Sequence, residues 1–264
     1  MRVSKTVAEW VDCRRAMNGR TIGFVPTMGA LHRGHSSLVE RCRRENDIVV
    51  ASIFVNPSQF NDPKDLMRYP RTVERDLALL EQLGADDVFM PDTSELYPHG
   101  YRFRVEAESI TNLMEGVHRP GFFQGVMTVV LKLLNLVRPD RAYFGEKDYQ
   151  QLMVIREMAA DFFIPTEIVF CPTVREESGL AESSRNALLS AEARRKASAL
   201  FRVLTTVPDV DHAKAVLEKE GFRVDYVEEH WGRRFAAAFL DGVRLIDNVP
   251  VAENREGIGS ASVH

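Results

Sequence analysis

Short β-branched and aromatic runs alternate with helix-length amphipathic segments over the first two thirds of the chain. The runs Thr21–Val25, Ile48–Val55, Asp87–Met90, Arg141–Phe144 and Glu167–Cys171 predict strands. Between them, Ser36–Asn46, Thr72–Leu83, Gly121–Val137 and Tyr149–Phe163 predict helices. In the last of these, Leu152, Ile155, Met158 and Phe162 recur at helical spacing and mark one apolar face. Gly121–Val137 confines Gln124, Thr128, Lys132 and Asn135 to one narrow polar stripe, which predicts a helix buried in the core or against a second subunit. Strand–helix alternation of this kind predicts parallel β-α-β units in a sheet covered on both faces. Such sheets bind ligands beyond the carboxyl ends of their strands, where the strand order reverses.

The texture changes after about Arg175. Ser190–Leu204 predicts a helix with interleaved acidic and basic residues. Phe222–Glu228, Phe235–Leu240 and Val243–Asp247 predict strands, the last two joined by a tight hairpin at Asp241-Gly242. The expected division is therefore 1–175 for the α/β domain and 176–264 for a small α+β domain, with Glu253–His264 a loose tail.

A chain of 264 residues fits one large domain or two smaller ones. The formal charge of −4 does not call for a nucleic-acid partner. Cys13, Cys42 and Cys171 show no C-x-x-C spacing, which argues against a disulfide framework or a structural zinc site and makes a reducing cytoplasm the simplest setting. The opening MRVSKTVAEW lacks the apolar stretch of a signal peptide. The longest apolar run, Val126–Val137, carries Lys132 and Asn135 and is too short to span a membrane.

The candidate chemistry starts at Val25–Leu38, VPTMGALHRGHSSL. A strand, a glycine turn and a helix start form an anion-binding device, because the helix N-terminus offers unpaired N–H groups. Gly29 and Gly34 would let a phosphate approach the backbone. His32 and His35 would add donors with partial or full positive charge near neutral pH. The stretch Gly29-x-x-x-x-Gly34-His35-Ser36 nearly matches a P-loop, but histidine stands where that motif needs lysine. Zinc binding by the two histidines lacks an evident third ligand.

The His-x-Gly-His element resembles the signature of nucleotidyltransferases related to class I aminoacyl-tRNA synthetases. The blocks FVNPSQF (residues 54–60), YPRT (69–72), RPGFFQGV (119–126), FGEKDYQQL (144–152), SGLAESSRN (178–186) and RLIDN (244–248) follow in the order seen in the pantoate–β-alanine ligase family. The resemblance implies a Rossmann-like doubly wound parallel sheet with a second, smaller α+β domain. It implies ATP-dependent condensation of pantoate with β-alanine through a pantoyl adenylate, with release of pyrophosphate and then AMP.

By the same resemblance, ATP is contacted by Met28, Gly29, Ala30, Leu31, His32, Arg33, Gly34 and His35, with His35 in the proton-donor position. Gly145, Glu146, Lys147 and Asp148 form a second ATP segment, joined by Val174, Glu182, Ser183, Ser184 and Arg185. The last three stand where the synthetases carry their mobile K-M-S-K-S loop, so the second domain is expected to act as a lid. His32, His35, Lys147 and Arg185 are the implied catalytic set. Gln59, Gln151 and Asn56 are implied to bind pantoate; Gln150 and Gln151 adjoin, so one of the two is expected to face inward. Mg2+ should accompany ATP, with Asp76 its candidate protein contact. Members are usually dimers, and the resemblance implies a homodimer without nucleic-acid or membrane partners.

Three positions depart from the family pattern: Phe123 replaces a histidine, Ser178 an aspartate and Glu182 an apolar residue. The segment between Glu229 and Gly232 is also shorter than expected. Two other readings stay open from sequence: an adenylate-forming enzyme or nucleotidyltransferase for another small carboxylate, and a non-catalytic nucleotide-binding relative.

Overall fold

Every residue of Ile48–Ile53 is buried, and its side chains alternate between two cores. Ile48 and Val50 join one core; Val49, Ala51 and Ile53 join the other. A strand buried on both faces belongs at the centre of a parallel sheet. The computed structural model, which describes residues 1–251, builds the rest around it. Glu253–His264 lies outside the described residues.

The first of two compact units, Met1–Leu189, carries β1 (Arg2–Ser4), α1 (Val7–Arg15), β2 (Ile22–Thr27), α2 (Arg33–Glu45), β3 (Ile48–Ile53), α3 (Pro63–Arg68) and α4 (Val73–Gln82). It continues with β4 (Asp87–Phe89), α5 (Thr93–Leu96), α6 (Glu115–His118), α7 (Phe122–Val137), β5 (Arg141–Gly145), α8 (Tyr149–Asp161) and β6 (Glu167–Cys171). Its six strands run parallel in the order β1-β4-β3-β2-β5-β6. Helices α1, α7 and α8 fill the core on one face, and α2 and α4 fill the core on the other. This is a Rossmann-like α/β sheet. The chain winds outward from β2 through β3 to β4, then returns to lay β5 on the other side of β2. Order therefore reverses between β2 and β5, and ligands are expected beyond Thr27 and Gly145.

The predicted strands and helices of this unit all form, with ends moved by a few residues. Strand β1 carries no apolar run and forms because its backbone pairs with β4. Helix α7 is buried as predicted, and its polar stripe meets a segment of the same chain. Lys132 donates to the Leu96 carbonyl, Thr128 accepts from the Val105 amide, and Gln124 bonds Glu106.

Residues 176–189, expected in the second domain, pack with the first unit. Hydrogen bonds hold them there: Glu182 N–H to the Val174 carbonyl at 2.9 Å and Ser184 Oγ to the Ala30 carbonyl at 3.0 Å.

The second unit begins at Ser190 and holds α9 (Ala191–Ala197), α10 (Ala199–Thr206) and α11 (Val210–Lys219) with an antiparallel sheet of β7 (Arg223–His230), β8 (Arg233–Leu240) and β9 (Val243–Pro250). The single helix expected over Ser190–Leu204 is divided at Ser198, whose hydroxyl bonds back to the Arg195 carbonyl. Asp241 and Gly242 both have positive φ, as a two-residue hairpin turn requires. Trp231 and Gly232 make a second turn of the same kind, so the short connection there still joins two full strands.

Candidate active site

The chain leaves β2 through Thr27, whose hydroxyl donates to the Ser52 carbonyl and accepts from the Gly29 amide. Gly29 and Ala30 then take positive φ values of 78° and 49°. This turns the next two amides onto one buried carboxylate: Ala30 N–H and Leu31 N–H each lie 2.8 Å from an Asp76 oxygen. Thr72 Oγ1 donates to the same carboxylate at 3.0 Å. A Cβ at Gly29 would sit 3.1 Å from Asp76 Oδ2. Gly29 thus admits a carboxylate of the protein itself, not a bound phosphate. Asp76, the candidate magnesium contact, is 1% exposed with three donors on its oxygens; it clamps the loop and does not line the cavity. Among the described residues, no cluster of three or more His, Cys, Asp or Glu side chains could hold a metal.

The clamp sets where α2 begins. His32 is its N-cap, and its Nδ1 accepts from Gly34 N–H at 3.1 Å. His35 returns the contact, its Nδ1 facing the His32 amide at 3.4 Å. The two rings lie 4.1 Å apart, centroid to centroid. A Cβ on residue 34 would come within 2.9 Å of the His32 ring, so glycine between the histidines lets the ring fold back over the helix end. With both Nδ1 atoms accepting, the ring protons sit on Nε2. Burial, reinforced by His35 and by Lys147, pushes His32 down to about 3. Burial and the neighbouring Lys147 push His35 down to about 4. The expected positive charge is therefore absent at neutral pH, and the pair offers neutral Nε2–H donors.

Fixed cations complete the site. Gly145 ends β5, and the 3-10 turn Glu146–Asp148 delivers Lys147 to the cavity with its ammonium 3.7 Å from Asp148. Arg185 follows a turn in which Ser183 Oγ accepts its amide. The Arg185 guanidinium pairs with Asp65 at 2.8 Å and lies over the Tyr69 ring.

Amides line the other end. Asn56 is 1% exposed and fully engaged: its Nδ2 donates to Gln59 Oε1 and to the Gly125 carbonyl, and its Oδ1 accepts from Ser58 and Tyr97. Asn56 thereby fixes Gln59, whose Nε2 has no protein partner among the described residues. Helix α7 closes tightly on this turn, since a Cβ at Gly125 would lie 2.4 Å from the Ser58 carbonyl oxygen. Of the adjoining glutamines, Gln150 bonds the Glu115 amide and the Ile110 and Leu113 carbonyls, and Gln151 faces the cavity.

One cavity of about 240 Å³ collects most of the expected residues: Met28, His32, Gly34 and His35 from the first loop, Asn56 and Gln59 from the second, Gly145, Lys147, Asp148 and Gln151 from the third, and Val174 with Glu182 to Arg185 from the last. Gly29, Ala30, Leu31, Arg33 and Glu146 do not line it; the first three support the loop. Tyr69, Arg119 and the apolar wall Val126, Val129, Val130 and Leu133 line it without having been singled out from sequence. Tyr69, Arg119 and Val126 fall within the YPRT and RPGFFQGV blocks, and Val129, Val130 and Leu133 within the apolar helix pattern of Gly121–Val137. Of the three departures, Phe123 packs in the core beside Phe122, and Ser178 accepts the Leu180 amide in a local turn. Only Glu182 reaches the cavity, 4.0 Å from Arg33.

The model of one family, Pantoate-beta-alanine ligase, matches residues 1–250. The chain belongs to that family. A pantothenate synthetase of Bdellovibrio bacteriovorus is 52% identical over 249 residues, covering 94% of this chain and 99% of its own. The crystal structure of a pantoate-beta-alanine ligase from Francisella tularensis, complexed with beta-gamma ATP and beta-alanine, matches with a TM-score of 0.91 at 40% identity, over 95% of this chain and 97% of that one. A pantothenate synthetase from Thermus thermophilus matches with a TM-score of 0.86 at 48% identity, over 95% and 99% of the two chains.

Two outcomes are expected. Asp76→Asn removes the charge that holds two buried amides and should destabilise the protein by about 2 kcal/mol, the scale for a charged hydrogen bond. Urea unfolding measures this; a wild-type midpoint with a weakened magnesium dependence would instead mark Asp76 as a metal contact. The depressed histidines set the second outcome. Between about pH 4 and the ordinary histidine value the unfolded chain binds more protons than the folded one, so stability rises with pH across that window. It is complete above the ordinary value and is lost as the pH falls toward about 4. Urea midpoints at about pH 5 and about pH 7 should show this gain, and His35→Gln should reduce it.

Proposed function

We propose a division of labour in this cavity for the reaction of the family. This chain is an ATP-dependent ligase that joins pantoate to β-alanine. A pantoate carboxylate oxygen attacks the α-phosphorus and pyrophosphate leaves. The neutral amine of β-alanine then attacks the acyl carbon, the acyl–phosphate C–O bond breaks, AMP departs and the nitrogen releases one proton to solvent as the amide forms. The first step needs negative charge stabilised on phosphate oxygens, and the second needs a dry, oriented acyl adenylate.

His32 and His35 act as hydrogen-bond donors through Nε2, aimed at phosphate oxygens as the bond to pyrophosphate breaks. Their neutrality in the free protein supports donation of a hydrogen bond over transfer of a proton. Lys147 and Arg185 supply the fixed positive charge. Ser184 holds the arginine loop against the first loop through the Ala30 carbonyl, and Ser183 accepts the Arg185 amide within the turn. Gln59 Nε2 and Gln151 orient pantoate, and the α7 wall covers its two methyl groups. Magnesium arrives on the phosphates of ATP, which suits an ion that keeps waters and prefers phosphate oxygens to an all-protein cage. One observation carries this reading: two imidazole donors and Lys147 line the same cavity as Gln59, whose Nε2 has no protein partner among the described residues.

The chain is further proposed to work in the cytoplasm as a homodimer, with its second unit closing as a lid when nucleotide binds. Light scattering that returned only the 29.9 kDa monomer would reject the dimer. Unchanged proteolysis around Ser190, where the second unit begins, on adding an AMP analogue would reject the lid.

The central test is ATP–pyrophosphate exchange. Pantoate should drive exchange, and adding β-alanine should yield pantothenate. Lys147→Ala should slow exchange about 100-fold, the scale for removing one transition-state donor. Exchange driven by a different carboxylate but not by pantoate, or ATP binding without any exchange, would overturn the reading.

A further inference from the structure

Helix α3 is six residues long and buries no side chain. So short a helix is not stable alone in water, and this one adds nothing to either core. It does carry Asp65 to the cavity rim, 120 residues away in sequence from the arginine it meets. Asp65 accepts from Arg185 Nη2 at 2.8 Å and from Nε at 3.4 Å, a side-on pair that fixes the plane of the guanidinium. Tyr69, the residue that ends α3, lies under the same group, with the guanidinium carbon 5.7 Å from the ring centroid. Phe60 holds that ring edge-on, also at 5.7 Å. A carboxylate in the plane and a ring on the face leave the arginine little freedom, although its side chain is 26% exposed.

Arginine has five N–H donors. Two face Asp65, and the other three have no hydrogen-bond partner in the protein among the described residues. Arg185 lines the cavity alongside Lys147 and the two histidines.

We propose that Asp65 is a positioning residue for adenylation, presetting the Arg185 guanidinium so that its remaining donors meet the phosphate oxygens of ATP. The proposal rests on the reading of Arg185 as a phosphate-binding group. Its physical content is preorganisation. A loose arginine loses side-chain freedom when it grips a ligand, and one already held in place loses little. Asp65 touches neither substrate nor reacting atoms; it acts through Arg185.

Pantoate-driven ATP–pyrophosphate exchange with the full chain tests this. Asp65→Asn should raise KM for ATP about tenfold, roughly 1.4 kcal/mol, and leave KM for pantoate within about twofold. Asp65→Glu keeps the charge and should recover most of the loss. Arg185→Lys should also raise KM for ATP, and adding Asp65→Asn to it should cost nothing further, because the partner that Asp65 orients is gone. A wild-type KM for ATP in Asp65→Asn overturns the proposal, as do additive losses in the double variant or equal rises in both KM values. Tighter ATP binding overturns it too, since Asp65 would then be competing with phosphate. If Arg185→Lys leaves KM for ATP unchanged, the phosphate-binding role of Arg185 fails and takes this inference with it. If Arg185→Lys behaves as expected and Asp65→Asn does not, only the positioning role fails.

Discussion

The buried carboxylate of Asp76, bonded to the amides of Ala30 and Leu31, is the constraint on which the remaining geometry depends. Strand β2 ends at the point where the sheet order reverses, and the chain must turn there through two residues of positive φ. Such a turn gathers amides that cannot stay buried without an acceptor. Many phosphate-binding loops leave that place to the ligand. Here a helix on the same face of the sheet supplies the anion from within, so the loop is fully formed before any nucleotide arrives. The side chains carried just beyond the clamp inherit their direction from it.

Those side chains divide between neutral and charged donors. Burial holds His32 and His35 well below the ordinary histidine range in the free protein, so at neutral pH each Nε2 presents a neutral donor. Lys147 and Arg185 carry the charge, and each stands beside a carboxylate, Asp148 and Asp65 respectively. This arrangement limits the cost of gathering several cations and near-cations around one cavity. At the opposite end, Asn56 commits all of its hydrogen-bonding capacity to holding Gln59 and its turn, so the Gln59 amide is fixed at the cavity wall.

The departures from the family pattern sort by where their side chains go. Phe123 takes the place of a polar residue, yet it is buried against Phe122 and away from the cavity, so the change is one of core packing. Ser178 serves its own turn. Glu182 alone brings a new charge to the cavity wall, where Arg33 lies 4.0 Å away. The residues expected of the ligase family are thus carried on a chain whose variations fall mainly in the surrounding packing.

Local pattern was enough to determine the alternation of strands and helices, the two-sided burial of β3, the hairpin at Asp241-Gly242 and the compact groups His32-Gly34-His35 and Glu146-Lys147-Asp148. Each depends on periodicity or turn chemistry within a few residues, and those are written directly in the chain. Tertiary structure decided the rest. It chose Gln151 over Gln150, moved residues 176–189 into the first unit and kept the histidines neutral. It also made Asp76 a clamp and joined Asp65 to Arg185. These outcomes depend on which backbone amides and side chains the strand order brings within about 3 Å of one another, and on how much water it removes from around them. A carboxylate reads the same in sequence whether it will meet a metal, a buried amide or an arginine; only its folded neighbours settle which.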